Sequence, residues 1–165
     1  MNDCIFSADR VYRYCLTYRP DDLFSRPPRI AFIGLNPSTA DEQQLDPTLR
    51  RIRSFSRLYG FGGSFIMLNL FAFRATDPRK MLAAQDPVGP DNNKIILEKT
   101  ADVDTIVACW GGGGNELSRA RDVMLLIGRP LVCIGRNKDG TPAHPLYMPS
   151  SDAFEPYTLP AINRS

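Results

Sequence analysis

Four short apolar segments are spaced along the chain, and stretches with helical periodicity separate them. Short, nearly continuous apolar runs are typical of strands that a parallel sheet buries on both faces. Strands that alternate with helices predict βαβ units, with helices covering both faces of the sheet. The predicted strands are Arg29–Gly34, Ser64–Leu68, Thr105–Cys109 and Leu131–Ile134.

The segments between these strands carry helix start signals. Asp46 is a favourable N-cap, Pro47 is a favourable first helical residue, and Asp91 is expected to cap a later helix. The predicted helices run from Pro47 toward Gly60, from Pro78 toward Ala84, from Asp91 to Lys99 and from Asn115 to Ile127.

The two ends of the chain have weaker patterns. Val11–Tyr18 alternates apolar and other residues, which predicts an edge strand or one arm of a hairpin. The tail from Ser150 onward is expected to be irregular. No composition shift marks a boundary, so residues 1–165 are expected to form a single domain. The expected architecture is a three-layer α/β/α fold around a central, mainly parallel four-stranded sheet.

Composition and charge exclude few function classes. The chain has 165 residues, 43% hydrophobic and 23% charged, with a formal net charge of +2, which is ordinary for one globular domain. No apolar run approaches the ~20 residues of a membrane helix, and Met1–Cys4 lacks a signal-peptide layout. A cytoplasmic monomer that does not enter membranes is expected. None of the four cysteines lies in a CxxC pair, so no metal and no cofactor are expected.

Polar residues follow the predicted strands at the positions where a ligand site is expected. In an open parallel sheet, ligands bind just outside the carboxyl ends of the strands. Asn36 follows the first strand, Asn69 ends the second, and His144, the sole histidine, follows the fourth. These three residues are therefore expected to converge on one crevice.

The turn after the first strand holds Asn36 between Gly34 and Pro37. The carbonyl oxygen of its amide can hold a water, or the amide can bond the edge of a ligand. Asp41, a few residues on, is a candidate base. The alternative is that Asn36 or Ser38 only satisfies the backbone of the turn.

Asn69 and His144 each allow two interpretations. An asparagine at a strand end suits the paired edge of a nucleobase, and Phe71 beyond it can stack a base. Otherwise Asn69 closes a turn and Phe71 belongs to the core. Prolines on both sides stiffen the segment of His144, as a site of fixed geometry requires, although a lone loop histidine is commonly a surface residue.

The glycine-rich loop Trp110–Gly114 can surround a phosphate with backbone amides. It is not a P-loop, because no Gly-Lys-Ser/Thr follows it. The alternative is a tight strand-to-helix turn.

In combination these segments resemble the motifs of the uracil-DNA glycosylase superfamily. Gly34–Ser38 is similar to the first motif, closest to the Gly-Ile-Asn-Pro-Gly form of the mismatch-specific uracil/thymine branch. Ile66–Asn69 resembles the strand whose terminal asparagine reads the uracil edge, and Val107–Gly111 resembles a Leu-Trp-Gly strand end. His144–Leu146 resembles the His-Pro-Ser motif that closes the site.

A fuller signature, Gly34–Glu42 with Phe71–Pro78, resembles an uncharacterised bacterial and phage domain family. Two positions depart from the superfamily pattern. Ser38 replaces a glycine that lets the first loop approach the ligand, and Leu146 replaces a serine that contacts phosphate. These departures weigh against recognition of duplex DNA.

The resemblance implies a uracil-DNA glycosylase-like fold and cleavage of the N-glycosidic bond of an extruded base. It implies that Asn36 orients the water and that neutral His144 donates a hydrogen bond to the leaving base, with Asp41 as a reserve base. The residues implied at the base are Gly34, Leu35, Pro37, Asn69 and Phe71. Those implied at phosphate or nucleic acid are Ser38, Thr39, Arg74, Trp110, Gly111, Gly112, Pro145, Leu146 and Tyr147.

Two other functions fit the same residues. One is an enzyme that acts on free nucleotides or nucleosides, and the other is a non-catalytic binding module. The modest net charge slightly favours these, whereas the arginine-rich face of the first predicted helix slightly favours a glycosidase on nucleic acid. In each case the expected partner is nucleic acid or a nucleotide.

Overall fold

The computed structural model describes residues 2–20, 27–38, 45–112, 116–150 and 153–160. Within these ranges the strands are β1 (Asn2–Phe6), β2 (Arg13–Tyr18), β3 (Ile30–Gly34), β4 (Phe65–Asn69), β5 (Thr105–Ala108), β6 (Leu131–Cys133) and β7 (Glu155–Tyr157). The helices are α1 (Pro47–Leu58), α2 (Pro78–Leu82), α3 (Asn92–Thr100) and α4 (Glu116–Ile127), with a short 3-10 helix at Pro145–Tyr147.

The strands form one mixed sheet in the order β1-β2-β4-β3-β5-β6-β7. β3 pairs in parallel with β4 and β5, and β5 pairs in parallel with β6. β2 pairs antiparallel with β1 and β4, and β7 pairs antiparallel with β6. The expected four-stranded, mainly parallel central sheet is therefore wrong, because the described residues form seven strands with antiparallel flanks.

Both flanks come from the segments with the weakest sequence patterns. Of the two alternatives for Val11–Tyr18, the hairpin arm is confirmed, because β1 pairs antiparallel with β2. The edge strand is wrong, because β4 pairs with the other side of β2. The tail that was expected to be irregular contains β7, which pairs with β6. Pro156 within β7 has no N–H to donate, and an edge strand tolerates this.

The strands bury alternate side chains in two core clusters, one on each face of the sheet. Phe32 packs on the same side as Phe55 of α1. Ile33, the next residue, packs on the opposite side with Ile96 of α3 and Val123 of α4. All of these side chains are buried, and each large one contributes roughly 1.5–3 kcal/mol relative to exposure.

Aspartate caps fix where two helices begin. Oδ1 of Asp46 accepts the N–H of Leu49 at 2.8 Å, and Oδ1 of Asp77 accepts the N–H of Arg79 at 2.9 Å. A proline follows each cap, as expected. Asp91 occupies the N-cap position of α3, as expected, but its side chain makes no cap hydrogen bond, and its main-chain carbonyl accepts the N–H of Ile95 at 3.0 Å.

Candidate functional site

A cleft of about 210 Å³ lies at the carboxyl ends of β3, β4 and β5, beside the start of α1. It is smaller than the roughly 300–1,000 Å³ of pockets for drug-sized ligands, so it suits a group the size of a single base. Residues singled out from the sequence line it together: Gly34, Leu35, Asn36, Ser38, Asn69, Trp110, His144 and Pro145.

Gly34 makes room for the amide of Asn69. The two residues are register partners at the ends of the parallel strands β3 and β4. A Cβ on residue 34 would lie 2.9 Å from Oδ1 of Asn69 and 2.5 Å from Cε of Met67, both closer than real Cβ atoms come. A side chain at position 34 would therefore displace the amide.

The side-chain carbonyl oxygen of Asn69 is buried and lacks a partner among the described residues. Its residue is 2% exposed, and Oδ1 accepts no hydrogen bond from any described residue. An unsatisfied buried polar group costs roughly 1–3 kcal/mol, so such groups in native proteins call for an explanation. A ligand that donates to Asn69 would supply one.

The amide of Asn36 has a fixed orientation. Its Nδ2 donates to the carbonyl of Ala75 at 2.8 Å, to that of Pro37 at 3.2 Å and to that of Phe73 at 3.5 Å. Because all three partners are acceptors, the NH₂ group must face them. The carbonyl oxygen of Asn36 is left to accept from a water or ligand in the cleft that the residue lines.

His144 is held in one tautomer when it is neutral. Its Nδ1 accepts the N–H of Leu146 at 3.3 Å, so the proton of the neutral ring is on Nε2. Burial lowers the pKa of His144, and the nearby negative charge of Asp46 opposes this shift. The neutral imidazole is thereby favoured, with Nε2–H as a donor. Arg51 of α1 secures the end of this segment, donating to the carbonyl of Met148.

Asp46 is a functional candidate that sequence reasoning missed. Among the described residues that line the cleft it is the one carboxylate. Oδ1 caps α1, and Oδ2 accepts from Oγ of Ser38 at 3.4 Å. Its role as a helix cap was visible in the sequence, but the cap signal gave no indication that α1 starts at the cleft.

A family described as "Protein of unknown function (DUF1643)" matches residues 13–146. The chain belongs to this family. The matched span contains Asn36, Asn69 and His144, and it leaves out β1 and β7. No curated protein and no solved structure gives a significant match.

Two further residues that line the cleft were not singled out from the sequence of this family member. Arg13 of β2 is 5% exposed and lines the cleft. Cys109 follows β5, and burial raises the pKa of its thiol to about 12. Cys109 therefore lines the cleft as a neutral thiol and not as a nucleophile.

Several predicted residues lie elsewhere. Phe71 and Pro37 are buried and do not line the cleft, and Phe71 belongs to the core cluster under α3 and α4. Trp110 lines the cleft, but its ring packs edge-on against Tyr157 at 5.3 Å, in the core cluster on the face opposite Cys109. Arg74 stacks over the ring of Phe6 at 5.2 Å, away from the site.

The glycine loop and the 3-10 helix border the cleft. Gly111 has φ +83°, and a Cβ on it would lie 4.0 Å from Cβ of His144. Gly112 lies beside the 137–141 turn instead. Leu146 and Tyr147 are exposed on the 3-10 helix that follows His144. Thr39 and Asp41 lie outside the described residues.

The described ranges contain no group of three or more His, Cys, Asp and Glu residues able to hold a metal ion. None of their helices has the length and apolarity to cross a bilayer.

Proposed function

We propose that this protein binds a nucleobase in the cleft and cleaves its N-glycosidic bond in nucleic acid, as the resemblance to uracil-DNA glycosylases implies. The observation that carries the proposal is Oδ1 of Asn69, buried without a hydrogen-bond partner on a residue that lines the same cleft as Asn36 and His144. An amide supplies one acceptor and one donor side by side, which complements the edge of a base bearing an N–H next to a carbonyl.

The reaction divides among four side chains. The bond between the sugar C1′ and the base nitrogen breaks, and its electron pair leaves with the base. Nε2–H of neutral His144 donates a hydrogen bond to the base as this negative charge develops, and preorganised donors of this kind contribute roughly 3–4 kcal/mol. Asn69 holds the edge of the base.

Water then forms the new bond to C1′. The carbonyl oxygen of Asn36 accepts from that water and orients it, because the amide nitrogen is already engaged with three carbonyls. Asp46 supplies the negative charge that balances the cationic sugar and accepts the proton of the water. Asp41, the reserve base expected from the sequence, lies outside the described residues.

A second candidate is a glycosidase of free nucleosides or nucleotides. The cleft volume of about 210 Å³ and the net charge of +2 favour it, since neither requires a long polynucleotide groove. A nucleoside would use the same amide, imidazole and water.

The test compares substrates under one assay. Single-stranded and duplex oligonucleotides carrying uracil, thymine mismatches or modified pyrimidines are incubated with the protein, alongside the matching nucleosides and monophosphates. Abasic sites in oligonucleotides support the first function, and free base from nucleosides alone supports the second. The isosteric variant Asn69→Asp and the variant His144→Ala should lose the activity. Tight, salt-dependent binding with no base released would overturn both in favour of a binding module.

A further inference from the structure

Two buried polar side chains outside the cleft hold the strand tip that carries Asn69. Asn92, the first residue of α3, is 0% exposed. Its Nδ2 donates to the carbonyl of Asn69 and to the carbonyl of Leu70, each at 3.1 Å. Both hydrogens of one buried amide are thus committed to consecutive carbonyls at the end of β4.

Arg119 of α4 contacts the same point. It is 8% exposed, and its Nε donates to the carbonyl of Leu70 at 2.8 Å while its terminal nitrogen donates to Oδ1 of Asn93 at 2.7 Å. No described carboxylate forms a salt bridge with it, and burial lowers its pKa. The negative charges of Asp122 and Asp86 oppose this lowering of the pKa. The hydrogen bonds to Leu70 and Asn93 hold the buried guanidinium at the tip of β4.

The position of these carbonyls explains why they need side-chain partners. The antiparallel ladder with β2 ends at Met67, and on the other side Leu70 donates its N–H to the carbonyl of Gly34. Pairing on this side resumes only at Ala72, whose carbonyl accepts the N–H of Arg13, so the carbonyls of Asn69 and Leu70 lie in a gap between the two pairings. Buried carbonyls in such a gap require other donors. Asn92 and Arg119 supply those donors from two different helices.

We propose that Asn92 and Arg119 are positioning residues that set the direction in which the amide of Asn69 enters the cleft. They link α3 and α4 to the tip of β4, so a displacement of either helix changes the recognition of the base. The catalytic part of this inference rests on the proposed function, whereas the geometric part does not.

The test uses Arg119→Lys, Asn92→Ala and a matched control, Ser56→Ala. Lysine keeps the charge but cannot bridge the Leu70 carbonyl and Asn93 together. Ser56 is buried, and its Oγ donates to the carbonyl of Ser64 at 2.6 Å, near the other end of β4. The control therefore removes a buried side-chain-to-carbonyl bond without touching the tip of the strand.

Two readouts separate positioning from stability. With a uracil-containing single-stranded oligonucleotide, kcat should fall about 10- to 100-fold in Arg119→Lys and Asn92→Ala, measured well below each Tm, and should stay unchanged in Ser56→Ala. In ¹⁵N spectra, the side-chain amide pair of Asn69 should shift or broaden in the first two variants only. If Asn92→Ala does not fold, Arg119→Lys carries both measurements.

Failure of this inference differs from failure of the proposed function. If wild-type protein releases no base, the proposed function fails, and the amide spectrum still decides on the positioning. If the Asn69 amide resonances of Arg119→Lys match those of Ser56→Ala, the positioning is overturned whatever the activity. Equal kcat in Arg119→Lys and wild type overturns it as well.

Discussion

Gly34 and Asn69 face each other across two parallel strands so closely that a Cβ on residue 34 would lie 2.9 Å from Oδ1 of Asn69. The amide that we assign to base recognition, with its unpaired Oδ1, therefore depends on a glycine in the neighbouring strand.

Gly34→Ala should displace the Asn69 amide and lower the rate of base release tenfold or more. Overpacking of this kind costs roughly 1–3 kcal/mol, which a folded domain usually survives. The measurement is the single-turnover rate together with Tm. Gly62→Ala is the control, since Gly62 has open space around it but φ +69°, so alanine there strains the backbone without reaching the cleft. An unchanged rate in Gly34→Ala would contradict the prediction.

Two substitutions of Asp46 distinguish its role as a helix cap from its role as a negative charge in the cleft. Asn caps helices about as well as Asp, whereas Ala costs roughly 0.5–2 kcal/mol. Asp46→Asn should therefore keep the stability and lose most of the activity, and Asp46→Ala should lose both. Chemical denaturation and base release, measured on the same samples, test this. Asp77→Asn, which changes the cap of α2, serves as the control and should behave as wild type. Full activity in Asp46→Asn would remove Asp46 from the mechanism.

Acidification should inactivate the protein through His144. Burial lowers its folded-state pKa below the ordinary value of 6.5, so protonation favours the unfolded chain. The stability that the neutral ring contributes is complete above pH ~6.5 and is lost as the pH falls through the folded-state pKa. Activity that needs the neutral ring should decline over the same acidic range.

The chain has one histidine, so a single imidazole signal reports this titration by NMR. The midpoint should lie below 6.5 and coincide with the acidic limb of the rate profile. In Asp46→Asn the midpoint should move lower still, because the opposing negative charge is gone. A midpoint above 6.5 in wild type would show that the ring is not desolvated.

Substitution of Tyr147 tests whether the substrate is a polynucleotide or a free nucleoside. Its side chain is 83% exposed on the 3-10 helix at the rim of the cleft, close to the ring of His144. Stacking of a base flanking the target on such a ring contributes roughly 1–3 kcal/mol. Tyr147→Ala should therefore weaken binding of a single-stranded oligonucleotide, and Tyr147→Phe should not.

Fluorescence anisotropy with a labelled oligonucleotide gives the affinities, and nucleoside hydrolysis provides the reference. If Tyr147→Ala impairs nucleoside hydrolysis as strongly as oligonucleotide binding, Tyr147 supports the segment of His144 rather than a flanking base.

The parallel part of the sheet was readable from the sequence because its strands are uninterrupted apolar runs. Asn36, Asn69 and His144 line one cleft because parallel strands share an end, and that rule needs no coordinates. The hydrogen bond from Nδ2 of Asn36 to the carbonyl of Ala75 could not be predicted from the sequence, because it joins residues far apart in the chain.

The antiparallel flanks escaped prediction for a different reason. β7 contains Glu155, Pro156 and Tyr157, a composition with no strand periodicity, and it becomes a strand because Leu131–Cys133 offers a free edge. Asp46 was not predicted as a site residue because the local sequence indicated only its role as a helix cap. The position of the start of α1 at the cleft depends on the tertiary fold. Tertiary context decided both cases.

The two margins of the sheet differ in their capacity to recruit another chain. β7 is three residues long and contains a proline, so it is a poor template for strand addition, whereas β1 is five residues long and contains none. Intermolecular β-augmentation would therefore occur along β1. Since β2, β4 and β3 follow β1 in the sheet, such an assembly would grow away from Asn69 and leave the cleft accessible.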